Sequence, residues 1–178
     1  MADSSPAVFL DRDGTIMRDV DYCGDPTNVH VFEDVPMTLR KLQSDGYKLF
    51  IITNQSGIAR GYFTEDQYRA VEREVSRQVG NDLIAATYFC PHGPNGECAC
   101  RKPSPEMILR AAREHNLDLA QSWFVGDKKS DLQCGRNAGV KTVLVRTGYG
   151  REVDESLADL VADDLLQAAD LILSSKND

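Results

Sequence analysis

No stretch of this 178-residue chain approaches the roughly eighteen consecutive apolar residues that would cross a bilayer. Its opening, MADSSPAVFL, has neither a basic start nor a long apolar run, so a soluble cytoplasmic protein with no membrane partner is expected. Positive charge is also short: 20 Lys and Arg stand against 28 Asp and Glu, giving a net charge of −8 and a pI near 4.9. That balance argues against nucleic acid as a partner, because phosphate backbones select a basic footprint; it leaves room for a basic patch inside a small site. A secretory disulfide framework is missing too, since the five cysteines are odd in number and no secretion signal precedes them. Internal repeats, low-complexity tracts and linkers are absent. The length suits one ordinary core that needs no staple, so residues 1–178 are read as a single domain, expected to be a monomer.

What is present is a regular alternation. Short runs rich in β-branched and aromatic residues predict strands at 7–10, 47–53, 85–89, 123–126 and 141–146, with a short sixth near 159–161. Amphipathic stretches between them predict helices at 35–45, 65–79, 105–115, 130–138 and 164–174. Thr64 and Gln67 read as a capping box, and Ser104 with Pro105 as a cap and first helical residue. Strand and helix in turn imply an α/β fold with a central parallel sheet flanked by helices. In such a sheet the carboxyl ends of the strands share one edge. The polar segments DRDGT, NQSG, the Cys/His run and DKKSD follow the first four strands, so that edge is the presumptive site.

Asp11 and Asp13 sit two apart directly after a buried strand. Two solvated loop acids would look the same. A carboxylate can also attack phosphorus while a second one shuttles the proton. Phosphoryl transfer then calls for charge neutralisation, and Asp127, Asp11 and the backbone carbonyl of Asp13 offer hard oxygens suited to Mg²⁺, with Asp131 behind them. Thr53 and the amide of Asn54 can donate to phosphoryl oxygens, and Lys102 can neutralise them.

The segment CPHGPNGECACRKP admits a disulfide, a reactive thiol or a metal clip. Pairing any two of its three cysteines strands the third. Cys90, His92, Cys98 and Cys100 are four soft or borderline ligands that suit tetrahedral Zn²⁺, and with no position left for water the ion would be structural. Its expected effect is to hold Arg101 and Lys102 over the site. Cys23 and Cys134 are assigned no chemistry.

In their order, DRDGT, TNQSG, RKP and GDKKSD resemble the four motifs of the haloacid dehalogenase superfamily of aspartate-nucleophile phosphatases, over residues 7 to about 147. The resemblance implies a Rossmann-like fold in which Asp11 is the nucleophile, Asp13 the general acid and base, Thr53 a phosphoryl donor, Lys102 the stabilising cation and Asp127 a Mg²⁺ ligand. The interval between Asp13 and Thr53 is too short for the large cap domain of many members, so short loops must control access. Three branches resemble the chain: sugar-bisphosphate phosphatases of surface-polysaccharide synthesis, histidinol-phosphate phosphatases and polynucleotide 3′-phosphatases. Likeness to the first implies a small sugar bisphosphate as partner, touched by Arg12, Asp19, Val20, Asp21, Tyr22, Asn54, Gln55, Ser56, Arg101 and Lys128. A phospho-ligand binder without turnover is the reading from another class.

Overall fold

The computed structural model describes residues 4–176. Six strands, β1 (Ser5–Leu10), β2 (Lys48–Asn54), β3 (Ala86–Cys90), β4 (Leu117–Gly126), β5 (Lys141–Val145) and β6 (Leu160–Ala162), form one parallel sheet in the order β3-β2-β1-β4-β5-β6. Helices α1 (Val35–Ser44), α2 (Glu65–Val79), α3 (Glu106–His115), α4 (Lys129–Ala138) and α5 (Leu165–Ser174) cover it. This is the α/β architecture expected, and its strand order is that of a doubly wound Rossmann-like sheet.

The period of two along β1 builds both cores. Val8 and Leu10 pack with Leu39 and Leu42 of α1, Val71 and Val75 of α2 and Ala168 and Ile172 of α5. Ala7 and Phe9 face the other way, toward Ile108 and Ala111 of α3 and Cys134 of α4. All four β1 residues are fully buried, and each large apolar side chain so placed contributes about 1.5–3 kcal/mol. A strand buried on both faces cannot slide by one residue without exchanging its two packed surfaces. The register therefore fixes where β1 ends and Asp11 begins.

Most boundaries fall within a residue or two of expectation, and the largest departure, at β4, has a local reason. β4 begins at Leu117, because Leu117 and Asp118 pair with Ser5 and Pro6 before a register shift; LDLAQS carries no strand pattern of its own. α3 starts at Glu106, leaving Pro105 outside it, although Ser104 Oγ accepts from the Glu106 amide at 3.4 Å. The last strand lies one residue later than predicted. The Thr64 and Gln67 capping box forms as read, with bonds of 2.8 and 3.2 Å. Among the described residues no helix is long and apolar enough to cross a membrane.

Candidate active site

The chain connections reverse direction between β1 and β4, the point where open α/β sheets bind ligands. Asp11 follows the last residue of β1 and Asp127 the last of β4, so the topology sets two carboxylates side by side. The Asp11 amide continues the ladder by donating to Val125 O at 3.0 Å. With Asp131 they form a buried group of three carboxylates, each offering one oxygen within 4.8 Å of those of the other two.

Lys102 enters this group from the loop after β3. Its Nζ lies 2.8 Å from Asp11 Oδ1, 2.7 Å from Asp131 Oδ1 and 2.9 Å from Ile52 O. Burial alone would raise the Asp11 carboxyl, but Lys102 and Lys128 hold it below its ordinary value, so it stands ionised. Burial pushes Lys102 the other way, and Asp11 and Asp131 more than reverse it, keeping the ammonium charged. Asn54 fixes the loop by a two-way clamp on Lys102, donating from Nδ2 to its carbonyl at 3.3 Å and accepting its amide at 3.0 Å. Thr53 Oγ1 accepts from Gln55 Nε2 at 2.8 Å, which leaves its own proton free for a phosphoryl oxygen.

Asp127 is the least satisfied member. Oδ2 accepts from the Tyr149 amide at 2.9 Å, while buried Oδ1 has no hydrogen-bond partner among the described residues. Burial, then the charges of Asp11 and Asp131, push its carboxyl up to about 8. Backbone presses close around it: a Cβ at Gly14 would lie 2.3 Å, and one at Gly148 2.1 Å, from Asp127 Oδ2. Three buried acids around an orphaned oxygen suit a divalent cation with oxygen ligands, and Mg²⁺ fits. Because Asp127 titrates upward from its ordinary value, the metal-free fold loses stability as pH rises toward 8, and a cation that requires the ionised form repays more there. Saturating Mg²⁺ is thus expected to raise Tm more at pH 8 than at pH 5.5 in thermal melts. An equal shift at both would contradict the carboxylate site.

Asp13 lies at the floor of an open cleft of about 320 Å³ whose walls include Asp19, Asp21, Gln55, Arg101 and Lys128. Tyr22, Asn54 and Ser56 also reach it. Two residues expected at the substrate are turned away from it: Val20 packs against the core, and Arg12 is 2% exposed. Lys128 pairs with Asp19 at 3.2 Å and lies 5.1 Å from the Tyr149 ring centroid. Tyr149, Ser130 and Cys23 line the cleft although the sequence reading assigned them no part. The signal for Tyr149 was available, since TGYG follows β5 at the same sheet edge as the other segments.

The Cys/His loop also assembles. Cys90 Sγ lies 3.4 Å from His92 Nδ1, 3.7 Å from Cys98 Sγ and 3.0 Å from Cys100 Sγ, and Cys100 Sγ is 3.4 Å from His92 Nδ1. Bonds of about 2.0–2.3 Å at tetrahedral angles place such ligands about 3.5–3.8 Å apart, so the donor set suits zinc, with Cys90 and Cys100 closer together than a bound ion would hold them. Arg101 Nη1 donates to His92 O at 3.1 Å, which ties its direction to the folded loop. One zinc per chain is expected by elemental analysis. Cys98→Ser should lose it and lower kcat/KM by about 10²-fold through misplaced cations; full activity without the metal would refute the link.

A carboxylate pair at the switch point, a buried lysine and an acid cluster for a cation define the haloacid dehalogenase class of hydrolases. Comparison with known proteins agrees. A hydrolase-like family model, described as HAD-hydrolase-like, matches residues 99–168. The D-glycero-β-D-manno-heptose-1,7-bisphosphate 7-phosphatase of Haemophilus ducreyi is 43% identical over 171 residues, 90% of this chain and 94% of that protein. The Escherichia coli K12 protein of the same name is 44% identical over 161 residues, 83% of each. The crystal structure of D,D-heptose 1,7-bisphosphate phosphatase from B. bronchiseptica, complexed with magnesium and phosphate, superposes with a TM-score of 0.87 at 33% identity, covering 96% of this chain and 99% of that one. The chain belongs to the haloacid dehalogenase-like family that includes these heptose bisphosphate phosphatases.

Proposed function

We propose that the chain removes the 7-phosphate of D-glycero-D-manno-heptose 1,7-bisphosphate through a phosphoaspartate at Asp11, in the synthesis of ADP- or GDP-heptose for surface polysaccharide. Relatives with that name, aligned over most of both chains, support the substrate. The observation that carries the reading is the adjacency of two cations with different surroundings. Lys102 is buried against Asp11, while Arg101, one residue earlier, lines the open cleft. The first suits the phosphate being transferred, and the second can grip another phosphate with its planar fork.

Mg²⁺ held by Asp11, Asp127 and the carbonyl of Asp13 would offset charge on the phosphoryl oxygens. An Asp11 oxygen bonds to phosphorus as the bond from phosphorus to the sugar oxygen breaks, and Asp13 gives that oxygen its proton. Asp13, now a carboxylate, takes a proton from water, whose oxygen attacks the same phosphorus. Phosphate leaves and Asp11 recovers its carboxylate. Thr53 and Lys102 hold the phosphoryl oxygens throughout.

Histidinol phosphate is the second reading, favoured by Asp19 and Asp21 in the cleft wall, where an ammonium group would find carboxylates. Comparing kcat/KM for both anomers of the heptose bisphosphate with histidinol phosphate separates the two. The bisphosphate should lead; a lead of more than about tenfold for histidinol phosphate, some 1.4 kcal/mol of transition-state discrimination, reverses the assignment.

A further inference from the structure

Arg12 lies between the two motif aspartates, yet its side chain is 2% exposed. Its Nε donates to Asp13 Oδ2 at 3.1 Å and its Nη2 to Asp13 Oδ1 at 3.0 Å. Gln55 Nε2 adds a third bond, to Asp13 Oδ2 at 3.0 Å. Nη1, on the opposite side of the guanidinium, is buried without a hydrogen-bond partner among the described residues, and the Arg12 Cζ lies 5.8 Å from the Tyr68 ring centroid. Burying a cation with one amino group unpaired is a poor route to stability, since well-packed apolar residues generally serve as well or better. Charge balance does not demand it either, because the Asp13 side chain is 16% exposed at the cleft and open to water. What the two-pronged grip supplies is direction.

We infer that Arg12 is a positioning residue that selects which lone pair of Asp13 carries the transferred proton. A carboxylate offers about four acceptor sites, two on each oxygen. Arg12 Nε and Gln55 take both on Oδ2, and Arg12 Nη2 takes one on Oδ1. The remaining site, on Oδ1, is the one left to hold a proton for the leaving oxygen. The inference rests on Asp13 acting as the acid and adds what orients it.

The test uses kcat/KM, which reports only steps through departure of the alcohol, across phosphate monoesters from alkyl to p-nitrophenyl. Alkyl oxygens need a proton to leave and nitrophenolate does not. Asp13→Asn should make the dependence on leaving group steep. Arg12→Met should do the same, losing about 10²-fold on alkyl esters, within the range of general acid catalysis, and far less on p-nitrophenyl phosphate. Competitive inhibition by inorganic phosphate should keep its Ki. Gln55→Leu should steepen the dependence to a smaller degree. Equal losses on every ester, or a raised phosphate Ki with an unchanged slope, would overturn the inference by making Arg12 structural or substrate-binding. If Arg12→Met does not fold, Arg12→Lys, which keeps the charge but not the fork, and Gln55→Leu decide: wild-type slopes in both overturn it. A wild-type slope in Asp13→Asn would instead remove the acid assignment, and this inference with it.

Discussion

Asp11→Asn is expected to lower kcat by roughly four to six orders of magnitude, the scale seen when a nucleophile is deleted from an otherwise intact site. The amide keeps the shape of the carboxylate but neither its charge nor its nucleophilicity. It also changes the balance around it. Asp11 contributes to the upward push on both Asp127 and Asp131, so its neutralisation lets each ionise more easily. Against that relief stands the loss of an ionised carboxylate that Lys102 and Lys128 stabilise in the fold at neutral pH, so lost structure has to be measured apart from lost chemistry. Steady-state turnover with a heptose bisphosphate, read beside thermal melts, checks both. Turnover within tenfold of the parent would end the nucleophile assignment.

Lys102→Met is expected to cost about 10³-fold in kcat, comparable to deleting one preorganised donor to transition-state charge. Here stability should fall as well. Lys102 is 4% exposed and sits between Asp11 and Asp131, so its removal leaves buried carboxylates without their nearest cation. Breaking a buried pair in this way costs about 3–5 kcal/mol. The loss should shrink as pH falls, because protonating the acids relieves their repulsion, and it should shrink on adding Mg²⁺, which replaces part of the missing charge. Denaturant midpoints at pH 5.5 and 8, with and without the metal, measure both trends. A variant as stable as the parent at pH 8 without metal would show that the lysine does not compensate the cluster.

Much of this arrangement was legible in the residues. β-branched runs marked the strands because a doubly buried parallel strand must be apolar along its whole length, and polar segments after each strand pointed to one edge because parallel strands end together. β4 escaped in part because its first residues, Leu117 and Asp118, pair with Ser5 and Pro6 through the backbone before a register shift, which no side-chain pattern announces. In the site, the placing of Asp11, Lys102 and Asp127 together was readable, whereas the direction of the Arg12 side chain was less plain. The alternation that sends Ala7 and Phe9 to one face and Val8 and Leu10 to the other also sets Arg12 apart from Asp11 and Asp13, so its turn away from the cleft was available in principle. Cys23 lines the cleft through loop geometry, which neither spacing nor composition encodes, whereas Ser130 reaches it from the first turn of α4, within the DKKSD segment.

The central claim is a covalent bond between Asp11 and phosphorus during turnover. Quenching the enzyme with borohydride while it turns over a heptose bisphosphate reduces an acyl phosphate to the alcohol, and peptide mass spectrometry then locates the change. Homoserine at position 11, absent when substrate is omitted, is the result predicted. Reduction at another carboxylate, or an unmodified position 11 under demonstrated turnover, would contradict the account.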